Sequence, residues 1–171
     1  PGVARNTPVL NTARLVTSAA LINNVVSNFG QVGIEFSGDS GNSPSAAIPM
    51  GKIINNTVYG GLTQTGVGIV IRNNASPTLM NNIVANTVTA ILVDTSSSTL
   101  TSPPDITTTI FQGNQNNGNT GGTLVGGAVV GGSFTNGTSP FGSNSIPVTN
   151  PSAPLFLNPS VGNFYLAPSQ N

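Results

Sequence analysis

The side chains that could do acid–base or metal chemistry are few, because only eight of the 171 residues, four basic and four acidic, are charged at neutral pH. Glu35 and Asp39 are the one pair of carboxylates close together in the sequence. With backbone carbonyl oxygens of residues 37–42, they are candidate ligands for a weak calcium site. A solvated loop without an ion is the favoured alternative. The other charged residues are Arg5, Arg14, Lys52, Arg72, Asp94 and Asp105.

The remaining acidic residues are expected to have structural roles. Asp94 ends a predicted strand before a Ser-rich stretch, where its side chain is expected to cap the turn. Asp105 follows two prolines in a predicted loop. Glycoside hydrolases need two carboxylates facing each other across the scissile bond. Glu35 and Asp39 are the only local pair, and the flexible sequence around them is not expected to hold them in that geometry. We therefore expect a protein that is not an enzyme and has no cofactor.

The composition also excludes several classes of partner and site. The chain has no histidine and no cysteine, so a usual zinc site, a disulfide, a catalytic thiol and a Ser-His-Asp triad are excluded. The formal net charge is +0 and no basic cluster occurs, which argues against nucleic acid and against a polybasic membrane patch. No run of 18 apolar residues exists that could insert into a membrane as a helix.

A doubled asparagine is the clearest repeat. Asn23-Asn24, Asn55-Asn56 and Asn81-Asn82 are separated by 55 − 23 = 32 and 81 − 55 = 26 residues, and apolar pairs flank each one. Each is followed by a short apolar run, at residues 33–36, 68–71 and 90–93. A variable period is typical of stacked repeats, because insertions fall in the turns between strands.

The apolar runs alternate with period 2, which indicates strands. The residues expected to point into the core are Ile34, Phe36, Ile69, Ile71, Ile91 and Val93, together with the pairs Leu21/Val26, Ile53/Val58 and Leu79/Val84 that flank the asparagines. Asn24, Asn56 and Asn82 are predicted to occupy the turns, since asparagine tolerates the left-handed conformation. Stacked from repeat to repeat, their amides are also expected to form a ladder of hydrogen bonds.

These motifs resemble those of a known family. The Gly-Ile-x-Ile strand, the Ser-Pro-x-Leu link at residues 76–79 and the Asn-Asn-x-Val turn are similar to the right-handed parallel β-helix repeats of pectate-lyase-like proteins. The segment at 154–166 resembles the end of β-helix domains in large secreted bacterial surface proteins. The resemblance covers about residues 9–113 and 154–166. It implies an all-β fold, a right-handed parallel β-helix of about four to five coils with an irregular C-terminal segment.

On this basis, residues 1–130 are expected to form the coils. Residues 131–171, rich in Gly, Ser, Asn and Pro, are expected to pack on the helix or to cap it. Inserted loops are predicted at residues 37–50, 95–105 and 114–122, and another coil is expected to begin at residues 107–111.

The alternation also places apolar side chains on the outside of the strands. Three of these residues occupy equivalent positions and are predicted to form one apolar stripe: Ile22, Ile54 and Met80. The other outward apolar residues are expected to extend it: Val25, Ile83, Val70 and Leu92. Two covers are considered for it. Either loops or the C-terminal segment fold back over the stripe, through Leu155, Phe156, Phe164 and Tyr165, or the stripe contacts a neighbouring subunit, since large apolar patches seldom stay exposed.

We therefore expect a non-enzymatic protein of the cell surface or extracellular space, a module that forms a surface layer or filament. Its partners would be copies of itself or other parts of a longer parent chain. The alternative is a polysaccharide-binding or polysaccharide-degrading module of a large adhesin, with Phe29, Tyr59 or Tyr165 stacking on sugars. The lyases of the family resembled use carboxylates to hold calcium and an Arg or Lys as base. Arg14 and Arg72 are predicted to align on one face, where they could bind a sugar carboxylate. Packing of their aliphatic stems along the sheet is the favoured alternative.

Overall fold

A computed structural model of the chain describes residues 19–38, 50–73, 75–94, 105–120, 123–125, 128–130, 133–134, 145–146 and 152–168. These residues form mainly β-strands, and a 3₁₀ turn at Pro159–Val161 is the one helical element among them. The prediction of an all-β chain with parallel sheets is confirmed. β-Branched residues dominate the strands, where they pack well on a pleated surface. Within the described part of the chain, no helix has the length and apolar character needed to cross a membrane.

The first strands occur in sets of three. We call the four sets repeats 1 to 4, and each consists of three consecutive strands. The strands are β1 Ala19–Ile22, β2 Val25–Ser27, β3 Val32–Ser37, β4 Met50–Ile54, β5 Thr57–Tyr59, β6 Val67–Arg72, β7 Ser76–Met80, β8 Ile83–Ala85, β9 Thr89–Val93, β10 Asp105–Thr107, β11 Thr109–Gln112 and β12 Asn116–Thr120.

Each strand of repeats 1 to 3 pairs in parallel with the strand three places later, so the repeats lie on top of one another. This produces three sheets. Sheet 1 has the order β1-β4-β7-β10, sheet 2 contains β2-β5-β8-β11, and sheet 3 contains β3-β6-β9-β12. The pairing is in register, because Leu21 lies beside Ile53 and Ile53 lies beside Leu79. Equivalent residues of successive repeats are therefore stacked in columns.

The columns that point between the three sheets form the core. Ile53, Val58, Leu79 and Val84 are fully buried, and Leu21 and Val26 of repeat 1 are partly buried against them. The inward residues predicted in sheet 3 belong to the same cluster. Burial of apolar surface stabilises a fold by about 25 cal/mol per Å² removed from water, so this core stabilises the stacked repeats.

The turn between sheets 1 and 2 corrects one detail of the prediction. The left-handed residues are the first asparagines of each pair, Asn23, Asn55 and Asn81, with φ of 60°, 55° and 55°. The predicted turn residues Asn24, Asn56 and Asn82 follow them and do not have positive φ. The first asparagine turns the chain and thereby aims the second one along the stack.

The predicted loops are only partly tested, because residues 39–49 and 95–104 lie outside the described residues. The loop predicted at 114–122 is wrong over most of its length. Residues 116–120 are β12, which pairs in parallel with β9 and extends sheet 3. Asp105, predicted in a loop, begins β10 and lies beside Thr78. In both places the neighbouring strand supplies backbone hydrogen bonds that override weak local β-propensity.

Six further strands follow the twelve strands of the stack. They are β13 Thr123–Val125, β14 Ala128–Val130, β15 Ser133–Phe134, β16 Ser145–Ile146, β17 Phe156–Asn158 and β18 Asn163–Leu166. Strand β16 extends sheet 2 beyond β11, and β15 pairs antiparallel with β12. Strands β17 and β18 form an antiparallel hairpin.

We call residues 152–168 the C-terminal cover, because they pack on the outer face of sheet 2. Leu155 and Phe156 are buried together with Tyr59 and Ala85 of the sheet. Phe164 packs against this cluster, as the predicted covering role requires. Tyr165, which was predicted to cover the face as well, is 78% exposed because it lies on the opposite side of the hairpin from Phe164.

Gly68 lies where the chain has no room for a side chain. A Cβ there would be 2.5 Å from Cγ1 of Val84 and 2.7 Å from the backbone oxygen of Ala90. We expect Gly68→Ala to lower the free energy of unfolding by about 1–3 kcal/mol, because the overpacked core must shift. Urea denaturation followed by circular dichroism measures the change.

Gly30→Ala is the matched control for Gly68→Ala. A Cβ at Gly30 meets nothing within 4 Å, so its effect should stay within about 0.5 kcal/mol. Equal free energies of unfolding for the two variants would show that the close approach at Gly68 does not affect stability.

Candidate functional site

Asn24, Asn56 and Asn82 are brought together in one row at the turn between sheets 1 and 2. The Oδ1 atom of Asn56 accepts hydrogen bonds from the backbone N and the Nδ2 of Asn24, both at 3.0 Å. The Oδ1 of Asn82 accepts from the backbone N of Asn56 at 3.0 Å and from its Nδ2 at 3.1 Å. We call this row the asparagine ladder.

The ladder also bonds to the strands that precede it. The Nδ2 of Asn56 donates to the carbonyl oxygen of Leu21 at 2.9 Å, and the Nδ2 of Asn82 donates to that of Ile53 at 2.8 Å. Asn56 and Asn82 are each 1% exposed. A buried amide must be hydrogen-bonded to be tolerated, and these amides satisfy each other and the backbone. The ladder can therefore hold repeats in register, but it carries no group for acid–base chemistry.

The ladder ends at repeat 4. The position beside Asn82 is occupied by Thr109, which is 1% exposed and donates its hydroxyl to the carbonyl oxygen of Thr107 at 3.1 Å. The residue before it, Thr108, keeps the left-handed turn with φ of 49°. The backbone turn thus continues in repeat 4, although the amide does not.

A second amide site, at the turn between sheets 2 and 3, was not predicted. The Oδ1 of Asn114 accepts from the backbone N of Thr87 at 2.9 Å and from its Oγ1 at 2.8 Å, and its Nδ2 donates to the carbonyl oxygen of Val84 at 2.8 Å. The residues before these two, Asn86 and Gly113, have φ of 53° and 65°. In the sequence the site corresponds to Asn86-Thr87 and Gly113-Asn114, which share with the doubled asparagines a residue that tolerates the left-handed conformation followed by a polar residue.

Glu35 forms an ion pair instead of facing a second carboxylate. Its Oε1 accepts from Nε of Arg72 at 2.8 Å and from Nη2 at 2.6 Å. The two side chains are 36% and 31% exposed, so the pair contributes about 0–1 kcal/mol. The Arg72 cation opposes a calcium ion at Glu35. The predicted partners Asp39 and Arg14 lie outside the described residues.

The other described charged groups are spread along the sheets. Asp94 is 4% exposed, and its backbone N donates to the carbonyl oxygen of Ile71 at 2.8 Å, which extends the pairing of β9 by one residue. Among the residues that the structure describes, no three acidic, histidine or cysteine side chains come together as a metal site would require.

The predicted apolar stripe is divided between the interior and the surface. Val70 and Leu92 are 0% exposed and form a small cluster with Val67, against which Val32 packs. Of the two covers considered for the stripe, burial within the chain applies to Val70 and Leu92, so these two residues are not available for contact with a neighbouring subunit. Ile54 and Met80 are half-buried, and Ile22 is 47% exposed.

Sheet 2 shows the same division. Ile83 and Ile110 pack under the C-terminal cover, whereas Val25, in the same column of repeat 1, is 57% exposed. The cover therefore spans repeats 2 to 4 and leaves repeat 1 bare at this face.

The three aromatic residues considered as sugar platforms lie in different environments. The ring of Tyr59 is buried and makes edge-on contacts with Phe156 and Phe164, with centroids 5.8 and 5.6 Å apart. Phe29 is half-buried against the core. Only Tyr165, of these three, presents its ring freely to solvent.

Comparisons of the chain with protein-family models, with curated protein sequences and with solved structures each give no match.

Proposed function

We propose that the chain is a right-handed parallel β-helix in which each repeat is one coil. The strand order supports this proposal, since each strand of repeats 1 to 3 pairs in parallel with the strand three places later. The right hand follows from the general rule that crossover connections between parallel strands are right-handed. Small-angle X-ray scattering and circular dichroism would test the elongated, strand-rich shape.

We further propose that this β-helix is a non-enzymatic structural module of a surface layer or filament, outside the cell or on its surface. Its partners would be copies of itself or other parts of a longer parent chain. The observation that carries this proposal is the asparagine ladder, because its buried amides form hydrogen bonds between neighbouring repeats and so serve to stack them. The location rests on the resemblance of the segment at 154–166 to the end of β-helix domains in large secreted bacterial surface proteins.

Low charge and bare apolar side chains support self-association. The last charged residue is Asp105, so the final 171 − 105 = 66 residues carry no charge. A net charge near zero favours association over solubility. The exposed apolar residues that could take part include Ile22, Val25, Leu157, Val161 and Tyr165.

Assemblies of the protein are expected to survive high ionic strength. In about 1 M salt the Debye length falls to about 3 Å, which screens exposed charges but leaves apolar contacts and amide hydrogen bonds in place. Electron microscopy and sedimentation velocity at low and at molar sodium chloride measure this. Dissociation to monomers in molar salt would show that charge pairs hold the assembly, contrary to the proposal.

The second candidate function is a polysaccharide-binding or polysaccharide-degrading module of a large adhesin. The free ring of Tyr165 favours it. Incubation with uronate polymers and added calcium separates the two candidates, since turnover would overturn the non-enzymatic role.

A further inference from the structure

An unusual turn in repeat 2 borders a groove on the outside of the stack. The connection from β5 to β6 spans residues 60–66, whereas the equivalent connections in repeats 3 and 4 span only 86–88 and 113–115. The longer connection contains a turn at residues 61–64, and the C-terminal cover lies across from it. The groove between them has a volume of about 370 Å³. Insertions in repeat proteins commonly project on the face that binds a ligand.

The walls of the groove are held in place. The Nε2 of Gln64 donates to the carbonyl oxygen of Gly113, which ties the inserted turn to repeat 4. On the opposite side, the Nε2 of Gln112 donates to the carbonyl oxygen of Ala153 at 2.8 Å and ties the cover to the same repeat. A site with fixed walls loses little conformational entropy when a ligand binds.

The chemistry of the lining is neutral and mixed. Of the described residues that line the groove, none is charged. Leu62, Pro154 and Pro159 supply apolar surface, and the amide of Asn86 supplies polar groups. Leu62 is 72% exposed, so its side chain is accessible to a ligand.

The amide of Asn86 is oriented by its neighbours. Its Nδ2 donates to the hydroxyl oxygen of Tyr59 at 3.2 Å. Its Oδ1 occupies the space that a Cβ of residue 113 would need, and glycine at this position leaves that space free. A side chain held in this way can recognise a ligand without first being ordered.

We propose that this groove binds a neutral oligosaccharide. Such a ligand combines hydroxyl groups, which amides bond as both donor and acceptor, with C–H faces that pack on Leu62 and the prolines. An anionic uronate would lose hydration in the groove without meeting a cation there, which disfavours it. The proposal does not depend on the structural role proposed above, and assembly is measured separately from binding.

Isothermal titration calorimetry with three probes tests the proposal: neutral hexasaccharides of glucose and of galactose, and hexagalacturonate. We expect at least one neutral probe to bind, and to bind at least about tenfold more tightly than the uronate, a difference of about 1.4 kcal/mol.

Two variants with matched controls locate the site. Leu62→Ser and Asn86→Gly should each weaken binding about tenfold, the effect of one lost ligand contact. Val161→Ser is the control for the first, because Val161 is 75% exposed but does not line the groove. Asn28→Gly is the control for the second, since Asn28 is the equivalent left-handed residue of repeat 1, with φ of 55°. Glycine occurs naturally at the equivalent positions 60 and 113, so both glycine variants should fold.

Loss of affinity in the two groove variants but not in the two controls supports the site. The proposal is overturned if none of the neutral probes binds, if hexagalacturonate binds as tightly as they do, or if the controls lose as much affinity as the groove variants.

Discussion

Replacing Asn82 by alanine is expected to lower the free energy of unfolding by about 3–5 kcal/mol. The substitution removes the Oδ1 that accepts from the backbone N and the Nδ2 of Asn56, and the Nδ2 that donates to Ile53. Three buried polar groups then lose a hydrogen bond where water cannot replace it. Each such group costs about 1–3 kcal/mol, and relaxation of the turn recovers part of the sum.

Asn24→Ala is the matched control, at the exposed end of the same ladder. Its backbone N still donates to Asn56, and water can reach the groups that its amide leaves. We expect a loss of about 1 kcal/mol or less. Urea denaturation of the two variants and the unmodified protein measures both values. Similar losses of stability in the two variants would show that the buried part of the ladder contributes no more than its exposed end. That result would remove the main support for a structural role.

Replacing Phe156 by alanine is expected to detach the C-terminal cover from sheet 2. The ring is 2% exposed and contacts the rings of Tyr59 and Phe164 edge-on, with centroids 5.8 and 5.3 Å apart. Truncating a buried phenylalanine costs about 3–5 kcal/mol, and a two-stranded hairpin is at best marginally stable by itself. The cover should therefore open while the stacked sheets remain folded.

Hydrogen exchange measured by mass spectrometry distinguishes local opening from global unfolding. Amides of β17 and β18 should exchange about 100-fold faster or more in Phe156→Ala, the equivalent of about 3 kcal/mol. Amides of β5 and β8 should keep most of their protection. Leu157→Ala is the control, because this neighbouring side chain is 53% exposed and its loss should leave the exchange rates unchanged. Unchanged exchange of β17 and β18 in Phe156→Ala would mean that the aromatic cluster does not hold the cover.

Opening of the C-terminal cover is also expected to affect self-association. Detachment exposes the column of Ile83 and Ile110, which would then resemble the bare Val25 of repeat 1. Stronger self-association of Phe156→Ala would agree with apolar contacts as the basis of assembly, since the charge of the protein is unchanged.

The repeat itself could be predicted because it is a local property of the sequence. Apolar residues on both sides of Asn55-Asn56 and Asn81-Asn82 mark two strands and a turn without any knowledge of distant residues. Parallel stacking then requires equivalent residues to meet, which places the second asparagines beside one another. Which asparagine turns the chain was assigned incorrectly, because both members of a pair tolerate positive φ and only the backbone path selects one.

Residues far apart in the sequence account for what could not be predicted. Whether Val70 and Leu92 are covered depends on how distant segments pack, and alternation along one strand indicates only that they point outward. The Glu35–Arg72 pair requires two side chains separated by 37 residues to meet, and this depends on the register of β3 and β6. The amide of Asn114 meets Thr87 for the same reason, although no doubled asparagine marks either residue.

The sequence by itself therefore determined the strand-and-turn repeat, the inward columns and the lack of charge, since period and composition act over a few neighbouring residues. Only the tertiary structure decided which outward face is buried, what the C-terminal cover contacts and where a groove forms beside Asn86. These features depend on the lengths of particular connections and on contacts between distant segments. A loop that is longer by a few residues costs little conformational entropy, so the sequence can contain such a loop without indicating what it will face.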